Sequence, residues 1–322
     1  MAMTAVQLFP EASVRFIGRW HVENGHAVTV SPGAFFELAF TGAYALLQFD
    51  LVGLSYPYAH LWIETDGGAA QEVPLDRFIR IHTSHSGEHY MRVIFKSAVS
   101  YCQRWYDPLD ACVHLTGIRV ESWSALPPPK KAIAFVGDSI TEGVYTDVDQ
   151  VPGWILNGDL VNQNDAAATY AWHTAALLGY DPIIQGYGSS GVTRGGLGGA
   201  PCAAEAYRFV HRHVPIAYNA PEMVVINHGE NDKDDTPENF IQGYLALIRT
   251  VQELHPKAKI VLLQPFSGLF GPELTRISQE EGLPYISTEG WYRGNVHPLR
   301  AGHKAIAQRL APLLKNILES VK

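Results

Sequence analysis

The 322-residue chain predicts a mixed fold in two parts: an all-β sandwich or jelly roll in residues 1–125, then an α/β domain built on a parallel sheet in residues 126–322. Short apolar runs separated by turn residues indicate the first part, and strand–helix alternation indicates the second. Three consecutive prolines at 127–129 mark the change between the two patterns. Because such a run continues neither a central strand nor a helix interior, it predicts a linker or a crossing between domains.

The first part contains seven apolar runs that are rich in aromatic and β-branched residues, which favour strands. Turn residues such as Asn24-Gly25 and Ser86-Gly87 separate them. Short strands at this spacing, with no long helical pattern, are typical of a sandwich or jelly roll. The predicted strands cover residues 14–17, 35–40, 44–51, 60–63, 78–81, 90–95 and 118–123.

The second part alternates short apolar strands with helical stretches, which indicates a parallel sheet covered by helices on both faces. One helix is predicted from the N-cap Asp165 to Gly179, another from Thr236-Pro237, and a last one over residues 299–320, which Pro312 should kink or divide. Ligands of such sheets bind at the carboxyl ends of the strands. The predicted strands cover residues 132–136, 183–184, 223–226, 260–263 and 284–286.

The composition argues against several classes of protein. The formal net charge is −8, and Lys130-Lys131 is the one adjacent basic pair of note, so a nucleic-acid partner is not expected. No apolar run approaches the roughly 18 residues of a membrane span, and the first residues show neither the basic nor the apolar region of a signal peptide. We therefore expect a cytoplasmic protein that binds no membrane, and leave a homo-oligomer open.

The three cysteines are Cys102, Cys112 and Cys202, and none belongs to a C-x-x-C pair. Reduced thiols are the favoured interpretation. A disulfide between Cys102 and Cys112 is the alternative.

Ser139 lies in the motif GDSI at residues 137–140, directly after the first predicted strand of the second part. A serine on the turn after a strand can present its hydroxyl group to a substrate. The alternative interpretation is that Asp138 and Ser139 merely cap a helix, which this residue pair often does.

Two more features follow later strands of the same predicted sheet. A glycine-rich stretch ends at Gly191, and glycine allows backbone N–H groups to approach a ligand closely. Asn231, in the motif GEND at residues 229–232, carries an amide that could stabilise an oxyanion. Taken alone, an ordinary glycine turn is the favoured interpretation of the first stretch, and an Asn-Asp turn is the alternative for the second.

His297 precedes Pro298 at the start of the last predicted helix. The chain has 14 histidines, so a single one is usually a surface or core residue, and His228 and His303 are the nearby competitors. The four features together are stronger than any one. They follow in order along one side of one predicted sheet and supply a nucleophile, oxyanion donors and a base, the parts of an acyl-transfer site.

On these residues the second part resembles the SGNH/GDSL hydrolase family, whose four blocks supply a serine, a glycine, an asparagine and a histidine. By this resemblance Ser139 matches the nucleophile, Gly191 the glycine, Asn231 the asparagine and His297 the base. The resemblance covers residues 130–322 and implies a three-layer, flavodoxin-like domain.

The resemblance implies covalent acyl transfer, in which His297 takes the proton of Ser139 and the serine attacks an ester carbonyl. The N–H groups of Ser139 and Gly191 and the side-chain amide of Asn231 would hold the oxyanion. The chemistry needs neither a metal nor a cofactor.

One position departs from the family pattern. The family usually places an aspartate three residues before the histidine, and here that position is Gly294. Three groups could orient the His297 ring instead: a backbone carbonyl, which we favour, Asn295 or Glu289.

A β region that leads directly into a GDS block resembles carbohydrate esterase family 2, in which a jelly roll precedes the SGNH domain. That resemblance implies deacetylation of acetylated xylo- or manno-oligosaccharides. Four aromatic residues near the motifs are candidates for a sugar-binding face, with core packing as the alternative: Trp154, Tyr187, Trp291 and Tyr292.

The function expected from the sequence is a serine esterase that removes acetyl groups from carbohydrate, with an acetylated oligosaccharide or a small ester as substrate. One alternative is a general short-chain carboxylesterase or lipase-like esterase. The other is a catalytically inactive carbohydrate-binding protein, which only the missing aspartate supports.

Overall fold

A computed structural model describes residues 9–10, 12–148, 160–216, 220–294 and 296–320. In these residues, two antiparallel sheets pack against each other and form a β-sandwich, and a parallel sheet covered by helices follows. The sequence predicted both of these architectures.

The β-sandwich runs from Val14 to Trp123. One sheet has the order β1-β4-β9-β6-β7, with β11 beside β4, and the other has the order β2-β3-β10-β5-β8. The strands are β1 (Val14–Ile17), β2 (His21–Glu23), β3 (His26–Thr29), β4 (Phe35–Thr41), β5 (Tyr44–Phe49), β6 (His60–Thr65), β7 (Gln71–Pro74), β8 (Phe78–His82), β9 (Glu88–Ser97), β10 (Val113–Arg119) and β11 (Ser122–Trp123).

Strand β4 shows why the sandwich and the second part form one body. Phe36, Leu38 and Phe40 alternate along the strand and are buried in the core between the two sheets. Phe35 points to the opposite face, where its ring packs at 5.5 Å against Trp172 of the second part. Because both faces of β4 are covered, it reads as a nearly continuous apolar run.

The parallel sheet has the strand order β13-β12-β16-β17-β18, which is 2-1-3-4-5 in chain order. This is the flavodoxin-like order, in which ligands bind outside the carboxyl ends of the strands on either side of the switch point, here β12 and β16. A short hairpin, β14–β15, lies outside the sheet. The strands are β12 (Ala132–Gly137), β13 (Asp181–Gly186), β14 (Phe209–His211), β15 (Val214–Pro215), β16 (Met223–Asn227), β17 (Lys259–Leu263) and β18 (Tyr285–Ile286).

Helices cover the sheet on both faces, so the second part has three layers. Apolar residues of α3 and α7 pack on one face, and those of α4, α5 and α6 pack on the other. The helices are α1 (Ser139–Glu142), α2 (Leu160–Gln163), α3 (Tyr170–Leu178), α4 (Ala203–Arg208), α5 (Pro237–Leu254), α6 (Gly271–Glu281) and α7 (Arg300–Glu319).

The predicted helix boundaries hold with two corrections. Asp165 caps a short 3₁₀ turn, and Thr169 then caps α3, which ends at Gly179 as predicted. Pro312 does not divide the last helix, which is continuous from Arg300 to Glu319. Leu310 and Leu314, on either side of the proline, are fully buried in the same core, and this packing keeps the helix intact.

The β-sandwich contacts the second part through buried polar side chains as well as apolar ones. Arg19 is 1% exposed and donates a hydrogen bond to the Ala206 carbonyl at 2.7 Å. Arg104 is fully buried and pairs with Glu142 of α1 at 2.7 Å. Since buried charges need such partners, the interface specifies one arrangement of the two parts.

Two further predictions concern the whole chain. Cys102, Cys112 and Cys202 are free thiols, as the favoured interpretation predicted. Among the described helices, none combines the length and hydropathy needed to cross a bilayer.

Candidate active site

Ser139 is the first residue of α1, at the carboxyl end of β12. The turn is tight, because a Cβ on Gly137 would lie 2.1 Å from the Thr141 hydroxyl oxygen. The Asp138 carboxylate accepts the Ile140 N–H at 2.9 Å and caps the helix. Asp138 is therefore the helix cap, and Ser139 is left half-buried at the sheet edge.

His297 lies next to Ser139, although the two residues are 158 positions apart in the chain. The distance between His297 Nε2 and Ser139 Oγ is 2.8 Å, within the range for a nucleophile and its base. The Tyr145 ring contacts the imidazole edge-on, with 5.5 Å between the ring centroids. Burial lowers the pKa of His297 to about 4, so at neutral pH the ring is uncharged and can accept a proton.

The other histidines considered from the sequence lie elsewhere in the core. His303 is fully buried in α7, and its Nδ1 accepts the Tyr170 N–H at 3.0 Å. His228 is 1% exposed, and burial lowers its pKa to about 4. Neither is hydrogen-bonded to Ser139, so among the described histidines His297 alone is paired with the nucleophile candidate.

The structure does not bring Glu289 to the histidine. Its side chain is exposed, and its backbone N–H donates to Ser287. Burial lowers the pKa of His297, and among the described residues no carboxylate is hydrogen-bonded to its ring. The prediction that Glu289 orients His297 is therefore wrong for this arrangement. Asn295, the other candidate side chain, lies outside the described residues.

Of the three predicted oxyanion donors, Asn231 and Ser139 have N–H groups that could bind an oxyanion. Asn231 lies in the 3₁₀ turn after β16, and one N–H of its amide donates to the Ser190 carbonyl at 2.9 Å. This bond holds the amide in place and leaves its second N–H for a ligand. Ser139 is the first residue of its helix, so its N–H has no partner within the helix.

Gly191 requires a correction. Its N–H donates to the Arg194 carbonyl at 3.0 Å and would have to leave that partner to bind an oxyanion. The glycine is needed for another reason, because a Cβ at this position would lie 2.3 Å from the Asp232 carboxylate. That carboxylate accepts the backbone N–H groups of Val192 at 3.2 Å and Thr193 at 2.9 Å. Asp232 thus joins the loop after β13 to the loop after β16. The sequence analysis did not identify this role, although Asp232 directly follows Asn231.

The aromatic candidates separate into two groups. Tyr187 is 1% exposed and packs against Trp105 and Arg104 in the interface between the two parts, so it presents no face to a sugar, and that prediction is wrong. Tyr292 is half-buried, and its hydroxyl donates to the His297 carbonyl at 3.3 Å.

Trp291 is also half-buried and packs beside the core of the α3–α7 face. Trp154 lies outside the described residues. Tyr145, which no motif singled out, is the aromatic residue whose ring contacts His297 directly.

The lowered pKa of His297 predicts an unusual pH profile. Only the neutral ring can accept the Ser139 proton, so kcat/KM should fall as the pH drops through about 4 and stay level from pH 6 to 8. The pKa of an unperturbed histidine side chain is about 6.5. Brief pH-jump assays with p-nitrophenyl acetate measure the midpoint. A midpoint at 6.5 or above would contradict the burial of the ring.

Comparison with known proteins gives a family and several similar structures. The profile of the GDSL-like lipase/acylhydrolase family matches residues 135–305. An acetylxylan esterase/glucomannan deacetylase of Cellvibrio japonicus (strain Ueda107) is 23% identical over 358 aligned positions, which span 99% of this chain and 93% of that protein.

The solved structures share the whole fold. A family two carbohydrate esterase from Cellvibrio japonicus superposes with a TM-score of 0.79 at 20% identity, over 96% of each chain. An acetyl xylan esterase, Est2A, from the rumen bacterium Butyrivibrio proteoclasticus superposes with a TM-score of 0.75 at 15% identity, over 96% of this chain and 97% of that one. The likeness thus includes the β-sandwich as well as the parallel sheet.

Proposed function

The chain belongs to the GDSL-like lipase/acylhydrolase family, and from this premise we propose that it is a serine esterase that removes acetyl groups from acetylated carbohydrate. The observation that carries the proposal is the 2.8 Å contact between His297 Nε2 and Ser139 Oγ at the carboxyl edge of the sheet. The contact supplies the activated nucleophile that ester cleavage needs.

In the proposed first step, His297 Nε2 accepts the Ser139 proton while Oγ attacks the acetyl carbonyl carbon. The oxyanion that forms is held by the Ser139 N–H, at the positive end of α1, and by the free N–H of the Asn231 amide. When the tetrahedral intermediate collapses, the sugar oxygen leaves and takes the proton from His297. Acetyl-Ser139 and the deacetylated sugar are the products of this step.

In the second step, water replaces the sugar. His297 accepts a proton from the water as the water oxygen attacks the acetyl carbonyl carbon, and it returns that proton to Ser139 Oγ as acetic acid departs and loses its own proton to solvent. The reaction consumes one water and releases one acetate for each ester. The lowered pKa keeps the resting ring neutral, the Tyr145 ring packs against the imidazole, and the Tyr292 hydroxyl donates to the His297 carbonyl, which helps to hold the residue in place.

The choice of acetylated carbohydrate rests on the relatives. The similar proteins include one named an acetylxylan esterase/glucomannan deacetylase and another named an acetyl xylan esterase, and the likeness extends over nearly all of this chain. The half-buried side chains of Trp291 and Tyr292 lie shortly before His297 and would suit the apolar face of a sugar ring.

Acetate release from acetylated xylo- and glucomanno-oligosaccharides tests the proposed substrate class. We expect release from both groups, and hydrolysis of p-nitrophenyl acetate on the order of 10-fold or more faster than of the octanoate ester, because each added methylene must fit the acyl pocket. The Ser139→Ala variant is the matched control and should release none.

The two alternatives predict different outcomes. A preference for octanoate over acetate would favour a lipase-like esterase. Binding of the oligosaccharides without any acetate release, from a protein whose Ser139 also resists a serine-directed phosphonate, would favour an inactive carbohydrate-binding protein.

A further inference from the structure

Arg300, the first residue of α7, is held by the chain segment that follows α1. Its backbone N–H donates to the Thr146 carbonyl at 3.1 Å. Its guanidinium donates through Nε to Asp147 at 2.8 Å and through Nη2 to Asp165 at 2.9 Å. Because His297 lies three residues before Arg300, these contacts fix the end of the loop that carries the histidine.

The two carboxylates, of Asp147 and Asp165, lie on segments that adjoin α1, the helix that Ser139 begins. Asp147 lies a few residues beyond the end of α1. The Asp165 N–H donates to the carbonyl of Gly143, the C-cap of that helix, at 2.9 Å. A Cβ on Gly143 would lie 2.4 Å from the Asp165 carbonyl oxygen, so the contact is close. Arg300 therefore connects the histidine loop to the segment that holds the serine.

The β-sandwich holds the same carboxylates from the other side. Trp62 in β6 donates its indole N–H to Asp165 at 3.1 Å. Lys96 in β9 is fully buried, with its ammonium 3.9 Å from the Asp147 carboxylate and 2.9 Å from Glu72. It also donates to the Asn162 carbonyl at 3.1 Å. Two cations, one from each part of the molecule, thus face the pair of aspartates.

Removing Arg300 would leave an unbalanced arrangement. Asp165 is 1% exposed, and burial raises its pKa. The nearby charge of Asp147 raises this pKa further, whereas the Trp62 hydrogen bond and the charges of Arg300 and Lys96 lower it. Without the guanidinium, the carboxylates would repel each other beside the histidine loop, and the segment would relax.

We propose that Arg300 is the positioning residue for His297, and that the β-sandwich takes part in catalysis by holding Asp165 and Asp147 for it through Trp62 and Lys96. The inference rests on the proposed function for the role of His297. It gives the β-sandwich a part in setting the distance between serine and histidine. Because no carboxylate among the described residues is hydrogen-bonded to the His297 ring, that distance depends on the loop anchor.

Kinetics of full-length variants test the proposal. With p-nitrophenyl acetate, Arg300→Gln and Asp165→Asn should lower kcat about 10- to 100-fold while KM changes less than about twofold, because displacement of a catalytic group by an ångström costs this much. Trp62→Phe keeps the ring, loses only the hydrogen bond and should lower kcat severalfold. Arg300→Lys should recover part of kcat, since lysine restores the charge but cannot bond both carboxylates through a planar fork.

Arg276→Gln is the matched control, because it breaks an exposed arginine–carboxylate pair, with Glu280, in α6 on the opposite face of the sheet from α7. It should leave kcat unchanged. Titration with a serine-directed phosphonate counts the competent sites in each preparation, so a loss of folded protein is separated from a loss of rate.

The ¹⁵N spectrum of the His297 imidazole gives a readout that needs no substrate. We expect one sharp resonance for each of the two ring nitrogens in the parent protein and in Arg276→Gln, and broadened or doubled resonances in Arg300→Gln. Failure of the esterase proposal would show as a parent protein without turnover, and the spectrum would still report on positioning. An Arg300→Gln variant with unchanged kcat and an unchanged His297 resonance would overturn the inference, whatever its thermal stability.

Discussion

Replacing Ser139 with alanine is expected to lower kcat for p-nitrophenyl acetate by about 10⁴-fold or more and to leave the fold intact. Loss of the nucleophile alone costs about 2 × 10⁶ in kcat in a serine protease, where the remaining site still stabilises the oxyanion. Ser139 is half-buried, and its hydroxyl contacts His297 at the surface of the site, so its loss opens no large cavity. Steady-state kinetics and thermal melting measure the two effects separately.

Ser267→Ala is a suitable control for that experiment, because Ser267 is an exposed serine in the loop after β17. This variant should keep the parent rate. A Ser139→Ala protein that retains more than about one hundredth of the parent kcat would show that another residue performs the chemistry.

Replacing Arg104 with methionine is expected to cost about 3–5 kcal/mol of unfolding free energy at neutral pH. Arg104 is fully buried and Glu142 is 2% exposed, so the variant leaves a carboxylate in the interior without its cation. Glu142 also accepts the Gly188 N–H at 2.7 Å, and its displacement would disturb the loop that follows β13. Denaturant unfolding at pH 8 measures the loss.

A second substitution separates lost charge pairing from lost packing. The double variant Arg104→Met/Glu142→Gln should recover most of the stability. Arg208→Met, at the exposed pair with Glu253, is the control and should match the parent. A double variant that is no more stable than Arg104→Met would contradict this explanation.

The overall architecture could be predicted because it depends on local patterns. Alternating apolar residues and turn residues identified most strands of the sandwich, and the strand–helix alternation identified the parallel sheet. Strands β2, β3 and β7 were missed because each has only three or four residues, and β2 and β7 are also largely accessible. Helix α6 was missed because only Leu274 and Ile277 are buried along it, which is too narrow an apolar stripe to stand out.

In the candidate site, the residues of the short motifs could be predicted, whereas the contacts that support them could not. Ser139, Asn231 and His297 each lie in a short motif next to a strand end or helix start, so local reasoning placed them in one region. The contacts that support them join distant residues: Trp62 and Asp165 are 103 positions apart, and Asp165 and Arg300 are 135. Nothing in a single sequence pairs such residues, because each alone resembles an ordinary surface or interface side chain.

Gly191 shows a different limit of the sequence. The motif identified a position where only glycine fits, and the structure agrees. Glycine is required there because the Asp232 carboxylate lies against its Cα, not because a substrate does. The Gly191 N–H itself donates to the Arg194 carbonyl. A glycine requirement can be read from a pattern, but the atom that imposes it comes from the fold.

Covalent labelling of the folded protein tests the central claim most directly. A serine-directed phosphonate should add once per chain, abolish hydrolysis of p-nitrophenyl acetate in step with its addition, and map by peptide mass spectrometry to Ser139. The rate of labelling should fall sharply in His297→Gln, because the base that activates the serine is lost. Full loss of activity with the adduct on another residue, or hydrolysis that persists after Ser139 is fully labelled, would contradict a site built on Ser139 and His297.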